Sequence, residues 1–368
     1  MGNTVKLHKL KSLIELKGAE GAIITGSSNV SYFIGFRVSG TLIVDSTGAT
    51  LYVPLLDYTR VVDIARNLNI KEIIIKAFNP YKTNEFFVTV VKASKLIDLI
   101  KLHFKEGSKI ILDQESLKPS TLKTLKNFNI IDVTNEISNF RMIKDLDEIK
   151  KIEKAARIAE KGIEKALEIL REGITEIEVA SYLEMEMKLN GAEQPSFNTI
   201  VAAGPRAAYP HAIPTKARIG KEDAVLIDTG AIYEAYCSDL TRMIIMSKTS
   251  TEIKKAIEII NEALNAAIEK VVPGNKCSEV DKAARDVIRK HGLSKYFIHS
   301  TGHGIGIDVH EAPRLSPNSE DVLKNGMVIT IEPGIYMWNK YGVRIEELIH
   351  VTEKGPKLIT QIPRVFQK

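Results

Sequence analysis

AVLIDTGAIY, residues 224–233, returns in altered form as MVITIEPGIY, residues 327–336. Each stretch is an apolar run that reaches an acid two residues before a glycine, Asp228 in the first and Glu332 in the second. A short apolar run bounded by glycine predicts a buried strand. A carboxylate at the end of a buried strand is costly unless it is paired or bound to a cation. The two stretches therefore predict an internal duplication and a site built from acids.

The segments around these strands repeat as well. The pattern Gly173, Glu178-Val179, Gly191 recurs at an offset of 101 residues as Gly274, Glu279-Val280, Gly292. The preceding apolar positions keep the same helical phase, and SDLTRMI (238–244) resembles RIEELIH (344–350), which matches Asp239 with Glu346. Each half is predicted to be helix, helix and strand pair, with two acids in its strands. We expect the halves to pack about a pseudo-twofold axis, and sites often lie at such junctions.

A third stretch, HSTGHGIGIDVHEAPRLS (299–316), holds three of the eight histidines. One buried acid would be explained by a helix cap or an arginine partner, but four in duplicated positions favour bound cations. Two divalent ions balance the four carboxylates, and His303 is the best candidate for a neutral fifth ligand. Such a set suits Mn²⁺, Fe²⁺, Co²⁺ or Zn²⁺ and differs from a structural zinc site. Two ions about 3.5–4 Å apart activate water, so the pattern indicates a metal-dependent hydrolase.

The first part of the chain has a different character. Alternating patterns predict strands and helices that make an α/β domain over residues 1–135. The strands are predicted at 22–25, 41–45, 50–53, 72–76 and 109–113, the helices near 55–67, 87–105 and 119–127, and a hairpin turn at 45–50. Asp145 and Glu148 fit a capping box at the start of a long helix. The second domain is therefore predicted to cover residues 136–368.

Composition limits the class of protein. The 368 residues are 44% hydrophobic and 26% charged, which is ordinary for a globular protein, and no apolar run is long enough to span a bilayer. Two cysteines form no disulfide framework, and the net charge of +5 is spread over helical faces. We therefore expect a cytoplasmic protein without nucleic-acid or membrane partners. The chain contains no HExxH, GxSxG or phosphate-loop motif.

These residues resemble a known family. DTGAIYEAYCSDLTR, HSTGHGIGIDVHEAP, ITIEPGIY and VRIEE are similar to the metal-binding segments of pita-bread metallopeptidases, above all Xaa-Pro dipeptidases (prolidases) and Xaa-Pro aminopeptidases. SNVSYFIGF and the early hairpin resemble the creatinase-like N-terminal domain more loosely. The resemblance implies an α/β (α+β) protein in which that N-terminal domain precedes a pseudo-twofold pita-bread catalytic domain.

The resemblance also implies roles for individual residues. The two metal ions of each subunit would be bound by Asp228, Asp239, His303, Glu332 and Glu346. Glu332 also resembles the residue that takes the proton from the attacking water, and Asp239 and Glu346 resemble bridging ligands. The catalytic and substrate positions would be His211, which stabilises the tetrahedral intermediate, His310 at the scissile bond, His299 in the pocket and Arg314 on a substrate carboxylate. Arg344 would orient the carboxylates, and family members usually form homodimers.

Several alternatives stay open. His211 and His299 could be structural histidines, and Arg314 could be an ordinary surface arginine. The resemblance favours cleavage of Xaa-Pro dipeptides, with a proline-containing peptide as substrate. The alternatives are an Xaa-Pro aminopeptidase acting on longer peptides, then a methionine aminopeptidase, and last a non-catalytic pita-bread binding module. The resemblance favours Mn²⁺ or Co²⁺ as the bound ions. Zn²⁺ and Fe²⁺ stay open as alternatives, because the ligand types accept all four.

Overall fold

The computed structural model of the protein describes residues 2–81 and 88–368. The chain divides into two compact units, Met1–Phe140 and Arg141–Lys368. The boundary predicted between residues 135 and 136 falls inside helix α6 (Thr134–Met142), which continues past the division. That predicted boundary stays a prediction, and each unit is described by itself below.

The first unit is built on one sheet of seven strands in the order β5-β4-β3-β2-β1-β6-β7. Its strands are β1 (Gly21–Ile24), β2 (Thr41–Asp45), β3 (Gly48–Pro54), β4 (Ile73–Asn79), β5 (Val90–Lys92), β6 (Lys109–Leu112) and β7 (Asn129–Asp132). Its helices before α6 are α1 (Gly2–Lys17), α2 (Ser27–Ile34), α3 (Leu55–Asn67), α4 (Leu96–Ile100) and α5 (Pro119–Thr124). The predicted hairpin is confirmed, because β2 and β3 pair antiparallel from Asp45 opposite Gly48.

The single helix predicted over residues 87–105 is wrong. Residue 87 lies outside the described residues, residues 90–92 form β5, and the helix α4 begins only at Leu96. Val90 pairs parallel with Ala77 of β4, because β-branched side chains pack well on a sheet. The carboxylate of Asp98 accepts hydrogen bonds from the backbone of Ser94 and Lys95, which starts the helix there. The predicted helix at 119–127 is also shorter and ends at Thr124.

The helices of the second unit repeat as the sequence predicts. They are α7 (Leu146–Ile169), α8 (Glu176–Leu189), α9 (Thr251–Ile268) and α10 (Cys277–Lys290), and α8 and α10 differ by the 101-residue offset at both ends. The capping box before α7 is confirmed, since Asp145 and Glu148 exchange side-chain-to-backbone bonds of 2.9 Å. The repeated glycines that precede α8 and α10, Gly173 and Gly274, both have positive φ, a conformation that glycine adopts without strain.

The strands of the second unit lie in several sheets. They are β8 (Gln194–Pro195), β9 (Ile200–Ala203), β10 (Ala224–Thr229), β11 (Ala231–Tyr233), β12 (Tyr236–Cys237), β13 (Leu240–Ile245), β14 (Gly302–Gly304), β15 (Glu311–Leu315), β16 (Val328–Ile331), β17 (Gly334–Met337), β18 (Tyr341–Arg344), β19 (Glu347–Thr352), β20 (Gly355–Leu358) and β21 (Val365–Gln367). The two larger sheets have the orders β21-β13-β10-β9 and β15-β14-β16-β19-β20. Short 3-10 helices cover Gly204–Ala208 and Ser294–Tyr296.

Strand β10 is buried on both faces, which explains its continuous apolar sequence. Val225 and Ile227 pack in a cluster with α7 and α8, whereas Leu226 packs in a second cluster with α9 and α10. A strand covered on both sides carries polar groups only at its ends, where they meet the ends of other strands. Among the described residues, no helix combines the length and apolar character that crossing a membrane would need.

Candidate metal centre

The four predicted acids lie at the ends of paired strands. Asp228 is the next-to-last residue of β10, and Asp239 directly precedes β13, its antiparallel partner. Glu332 directly follows β16, and Glu346 directly precedes β19, again its antiparallel partner. Each half of the duplication therefore presents one pair of carboxylates at one end of a strand pair.

His303 joins these acids from the middle of β14, which pairs with β16. Its Nε2 atom lies 3.6 Å from Oδ2 of Asp239 and 3.4 Å from Oε1 of Glu332. One ligand atom each from Asp239, His303 and Glu346 lie within 4.8 Å of one another, and all three residues are buried. Side chains that are up to about a hundred residues apart in the sequence thus converge on one small volume.

Arg344 connects Asp228 to the rest of this volume. Its Nη2 atom donates to Oδ2 of Asp228 at 2.5 Å, and its Nη1 atom donates to the hydroxyl of Tyr336 at 2.6 Å. Its Nε atom donates to the hydroxyl of Thr241 at 3.1 Å, and that hydroxyl donates to Glu346 at 3.0 Å. Arg344 as a whole is 3% exposed, so these contacts are shielded from water and hold the carboxylates in one orientation.

The electrostatics show a local excess of negative charge. Burial raises the pKa of Asp239 well above its ordinary value, and the charges of Glu346 and Asp228 raise it further. Burial likewise raises the pKa of Glu346, with the charges of Glu332 and Asp228 adding to the effect. Burial raises the pKa of Glu332 to about 8 against the opposing charge of Arg344. One arginine does not neutralise four carboxylates in this volume.

The comparisons with known proteins identify the family. Metallopeptidase family M24 matches residues 150–353, and the creatinase/prolidase N-terminal domain matches residues 6–143. The chain belongs to metallopeptidase family M24. The predicted resemblance and the predicted two-part fold are thereby confirmed.

Individual members of family M24 match over almost the whole chain. An Xaa-Pro dipeptidase of Pyrococcus furiosus is 39% identical over 98% of both chains. The crystal structure of a prolidase from Pyrococcus horikoshii has a TM-score of 0.84 and 38% identity, covering 98% of this chain and 99% of that one. The structure of an X-Pro aminopeptidase from Thermotoga maritima has a TM-score of 0.82 and 30% identity, covering 96% and 99%.

An M24 metallopeptidase needs divalent metal ions, and the residues present fit them. Oδ1 of Asp228 and Oε1 of Glu346 are buried acceptors without a hydrogen-bond partner among the described residues. Leaving such an oxygen unpaired is costly, and a cation removes the cost. Burial also lowers the pKa of His303 to about 4, so its imidazole is neutral, as a metal ligand must be. The donor set of oxygens and one nitrogen suits divalent transition metals.

The three predicted substrate histidines lie around this centre. The ring of His310 is exposed and packs against His303 at 4.4 Å between centroids. His299 contacts the hydroxyl of Tyr336 through Nε2 at 3.0 Å, and burial lowers its pKa to about 4. His211 is exposed, and its charge lowers the pKa of both His299 and His310, which places it near them. His310 therefore borders the candidate metal centre through His303, His299 is connected to it through Tyr336 and Arg344, and His211 lies near these two histidines.

Arg314 is exposed on β15, directly opposite His303 of β14. Residues opposite each other in an antiparallel pair point to the same face of the sheet. The charge of Arg314 also acts on the pKa of His303 and of His310. The arginine is thus placed on the side of the sheet that carries His303.

Sequence reasoning missed several residues that hold the centre together. Thr241 and Tyr336 lie inside the quoted stretches, but nothing local shows that both bind Arg344. Asp281 of α10 is fully buried and accepts hydrogen bonds from the backbone and the hydroxyl of Thr301, two residues before His303. The sequence signal for Asp281 was a charged residue on the apolar side of α10, since the matching position in helix α8 is Ala180.

Proposed function

We propose that this chain is an Xaa-Pro dipeptidase, which hydrolyses the peptide bond before proline in Xaa-Pro dipeptides. The observation that carries the proposal is the convergence of four acids and His303, the candidate ligands, from both halves of the duplication. The likeness to a curated Xaa-Pro dipeptidase over 98% of both chains supports the substrate class. Since a pita-bread binding module would have no need for this ligand set, the convergence favours an enzyme.

We propose two divalent ions per subunit, Mn²⁺ or Co²⁺ before Zn²⁺ or Fe²⁺. These ions would be held by Asp228, Asp239, His303, Glu332 and Glu346. When bound, the ions polarise the scissile carbonyl and supply a deprotonated water at neutral pH. Arg344 keeps the Asp228 carboxylate oriented through the bond at 2.5 Å. Orientation of this kind raises metal affinity and activity in other metal sites.

Glu332 is the proposed proton carrier. Its carboxylate lies at 18% side-chain exposure, whereas Asp239 is 7% exposed, so Glu332 is better placed to meet a substrate. It accepts the proton of the attacking water and delivers it to the departing proline nitrogen. An amide nitrogen must gain a proton to leave as an amine, and since the nitrogen of an Xaa-Pro bond carries no hydrogen, the proton from Glu332 becomes the N–H of the released proline.

The remaining roles follow from position around the centre. We propose that His211 and His310 bind the scissile amide and stabilise its oxygen as charge develops there. His299 is neutral and hydrogen-bonded to Tyr336, which suits it to line the pocket. Arg314 is proposed to bind the carboxylate of the substrate, because guanidinium and carboxylate groups form paired hydrogen bonds.

A second candidate is an Xaa-Pro aminopeptidase that acts on longer peptides. The likeness to the X-Pro aminopeptidase structure at a TM-score of 0.82 favours it. The two activities differ in whether the pocket tolerates a residue after proline. If Arg314 binds the carboxylate of proline itself, longer peptides are excluded.

The experiment compares three substrates with one reconstituted protein. Metal-free protein, prepared with a chelator, is supplied separately with Mn²⁺, Co²⁺, Zn²⁺ and Fe²⁺ and assayed on Ala-Pro, Ala-Pro-Ala and Met-Ala-Ser. We expect cleavage of Ala-Pro and little of the tripeptides. Preference for Ala-Pro-Ala would replace the dipeptidase by the aminopeptidase, and cleavage of Met-Ala-Ser alone would indicate a methionine aminopeptidase. Inactivity on all three would favour a binding module.

We also propose a homodimer that works in the cytoplasm. Both cysteines, Cys237 and Cys277, are free and buried, which is consistent with a reducing compartment. The homodimer rests on the family resemblance. Light scattering during gel filtration tests it, and a monomeric mass at assay concentration would contradict it.

A further inference from the structure

One group of charged residues lies beside the candidate metal centre without belonging to it. Glu311 follows His310 directly, and its side chain is only 7% exposed. Arg141 donates to Oε1 of Glu311 at 2.5 Å, and the ammonium group of Lys144, at 1% side-chain exposure, lies 3.4 Å from Oε2. Arg141 also donates to Asp308 at 2.6 Å. These four residues are called the Glu311 cluster below.

The Glu311 cluster contacts the loop that leads to His310 and holds that loop in place. Residues 305–310 connect β14 to β15, with His303 in the strand before the loop and His310 at its end. Oε1 of Glu311 accepts the backbone N–H of Asp308 at 2.9 Å, so the carboxylate reaches back across the loop that precedes it. A Cβ atom on Gly306 would lie 2.7 Å from Oε2 of Glu311, which shows that the carboxylate packs against the loop backbone.

The loop is held from its other side as well. The backbone N–H of Cys237 donates to the carbonyl of Gly306 at 2.7 Å, and its thiol donates to the carbonyl of Ile307 at 3.3 Å. Cys237 lies two residues before Asp239, a proposed metal ligand. The loop is thus fixed between the ligand segment and the Glu311 cluster.

The Glu311 cluster combines charges of both signs in a buried position. Burial by itself would raise the pKa of Glu311, but the charges of Lys144 and Arg141 outweigh it and lower the pKa. Glu311 is therefore ionised and is paired with Arg141 and Lys144. Burial lowers the pKa of Lys144, and the charges of Glu311 and Glu148 oppose that shift. Apolar residues of the same volume would stabilise the folded state at least as well as these buried charges do. The main effect of the cluster is therefore to define the geometry of the loop.

We propose that the Glu311 cluster fixes the position of His310 beside the metal centre, so that Arg141, Lys144 and Glu311 are positioning residues of the peptidase. This proposal rests on the proposed role of His310. The imidazole of His310 is exposed and contacts the ring of His303, so a core does not enclose it as it would a buried side chain. The backbone on either side of His310 is therefore what sets its distance from a substrate. A displacement of about 1 Å at a reacting group lowers a rate by on the order of 10²-fold.

The first experiment removes the charge of Glu311 and keeps its shape. We expect Glu311→Gln in the metal-loaded enzyme to lower kcat by about 10- to 100-fold with unchanged metal content. Lys144→Met leaves the ion pair between Glu311 and Arg141 in place and should therefore lower kcat less than Glu311→Gln does. If Glu311→Gln does not fold, the same measurements are made on Lys144→Met. The matched control is Glu160→Gln, because Glu160 is also buried and ion-paired, with Arg157 of the same helix, and it binds the backbone of Gln361.

A double-mutant cycle separates positioning from general stability. If the cluster acts through His310, Glu311→Gln in the background of His310→Ala should lower kcat by less than about 2-fold further. Glu160→Gln should have the same effect in both backgrounds. If Glu311→Gln lowered kcat by the same factor with and without His310→Ala, the two sites would be independent and the proposal would be overturned.

Hydrogen exchange gives a readout that does not depend on activity. The backbone amides of residues 305–310 should exchange at least about 10-fold faster in Glu311→Gln than in the unaltered protein or in Glu160→Gln. Unchanged exchange would overturn the cluster's role. If His310→Ala kept full activity, the proposed function of His310 would be wrong, and the exchange of the loop would then decide the cluster alone.

Discussion

Replacing Glu332 with glutamine should stabilise the metal-free protein at high pH although it removes the proposed proton carrier. Without cations, burial raises the pKa of Glu332 to about 8, and the negative charge of Asp228 adds to this against the opposing charge of Arg344. Ionising Glu332 in the folded, metal-free protein therefore costs free energy that the unfolded chain does not incur. A glutamine at this position never incurs that cost.

The magnitude follows from the two pKa values. The ordinary pKa of Glu332 is 4.5, and the folded value is about 8. Because the pKa of Glu332 is raised in the folded protein, its protonated carboxyl group contributes fully to the free energy of unfolding below pH 4.5. This contribution is lost as the pH rises through about 8. At 1.36 kcal/mol for each pKa unit, the loss is about 5 kcal/mol. Removing the charge of Glu332 also relieves Asp239 and Glu346, since it raises the pKa of both.

The assay is urea denaturation of protein dialysed against a chelator. We expect the free energy of unfolding of Glu332→Gln to exceed that of the unaltered protein by up to about 5 kcal/mol at about pH 9, and to differ little at about pH 5. The control is Glu160→Gln, which should lower the free energy of unfolding at both pH values because it weakens a satisfied buried ion pair. With metal bound the sign should reverse, because Glu332→Gln then removes a ligand charge and the activity.

Metal-free Glu332→Gln that is no more stable than the unaltered protein at about pH 9 would refute this prediction. That result would mean that the carboxylates are separated or solvated in the metal-free state. A gain of the same size at both pH values would also contradict it, because a gain of that kind does not come from ionisation.

Three further predictions follow from single contacts. Arg344→Met should lower kcat/KM by about 10- to 100-fold, because Asp228 loses the bond at 2.5 Å that orients it. Arg344→Lys should not restore the rate. Steady-state kinetics at saturating metal concentration measures both variants. Asp281→Asn should lower the free energy of unfolding by about 2–4 kcal/mol in urea denaturation, because this fully buried carboxylate is ion-paired; a loss below about 0.5 kcal/mol would contradict the structure. Gly302→Ala should lower the melting temperature and weaken metal binding, measured by calorimetric titration, because its Cβ would lie 2.0 Å from the carbonyl oxygen of Thr330; unchanged metal affinity would contradict this.

Much of the second unit was predictable because its signals are local and doubled. The capping box at Asp145 and Glu148 is a pattern of four residues, and the same short-range bonds form in the structure. The 101-residue repeat is visible in glycine spacing, and it reappears in the bounds of α8 and α10. The acids at the strand ends were predicted to meet because duplicated halves are expected to pack about a pseudo-twofold axis, where sites often lie.

The errors of prediction lie where local patterns compete. Residues 90–92 carry two adjacent valines inside a segment with helical periodicity. Pairing with β4 decided in favour of a strand, and a pairing partner on another segment is not visible in a local window. The start of α4 was misplaced for the same reason.

The sequence by itself determined the type and number of the proposed ligands, the duplication and the order of the elements, because residue identity and periodicity are properties of one stretch of chain. The tertiary structure alone decided how those residues are partnered. It paired Arg344 with Asp228, 116 residues apart, and Lys144 with Glu311, 167 residues apart. Such pairings depend on which strand ends and loops come within hydrogen-bond distance after the core has packed, and that distance is set by all the packed side chains together.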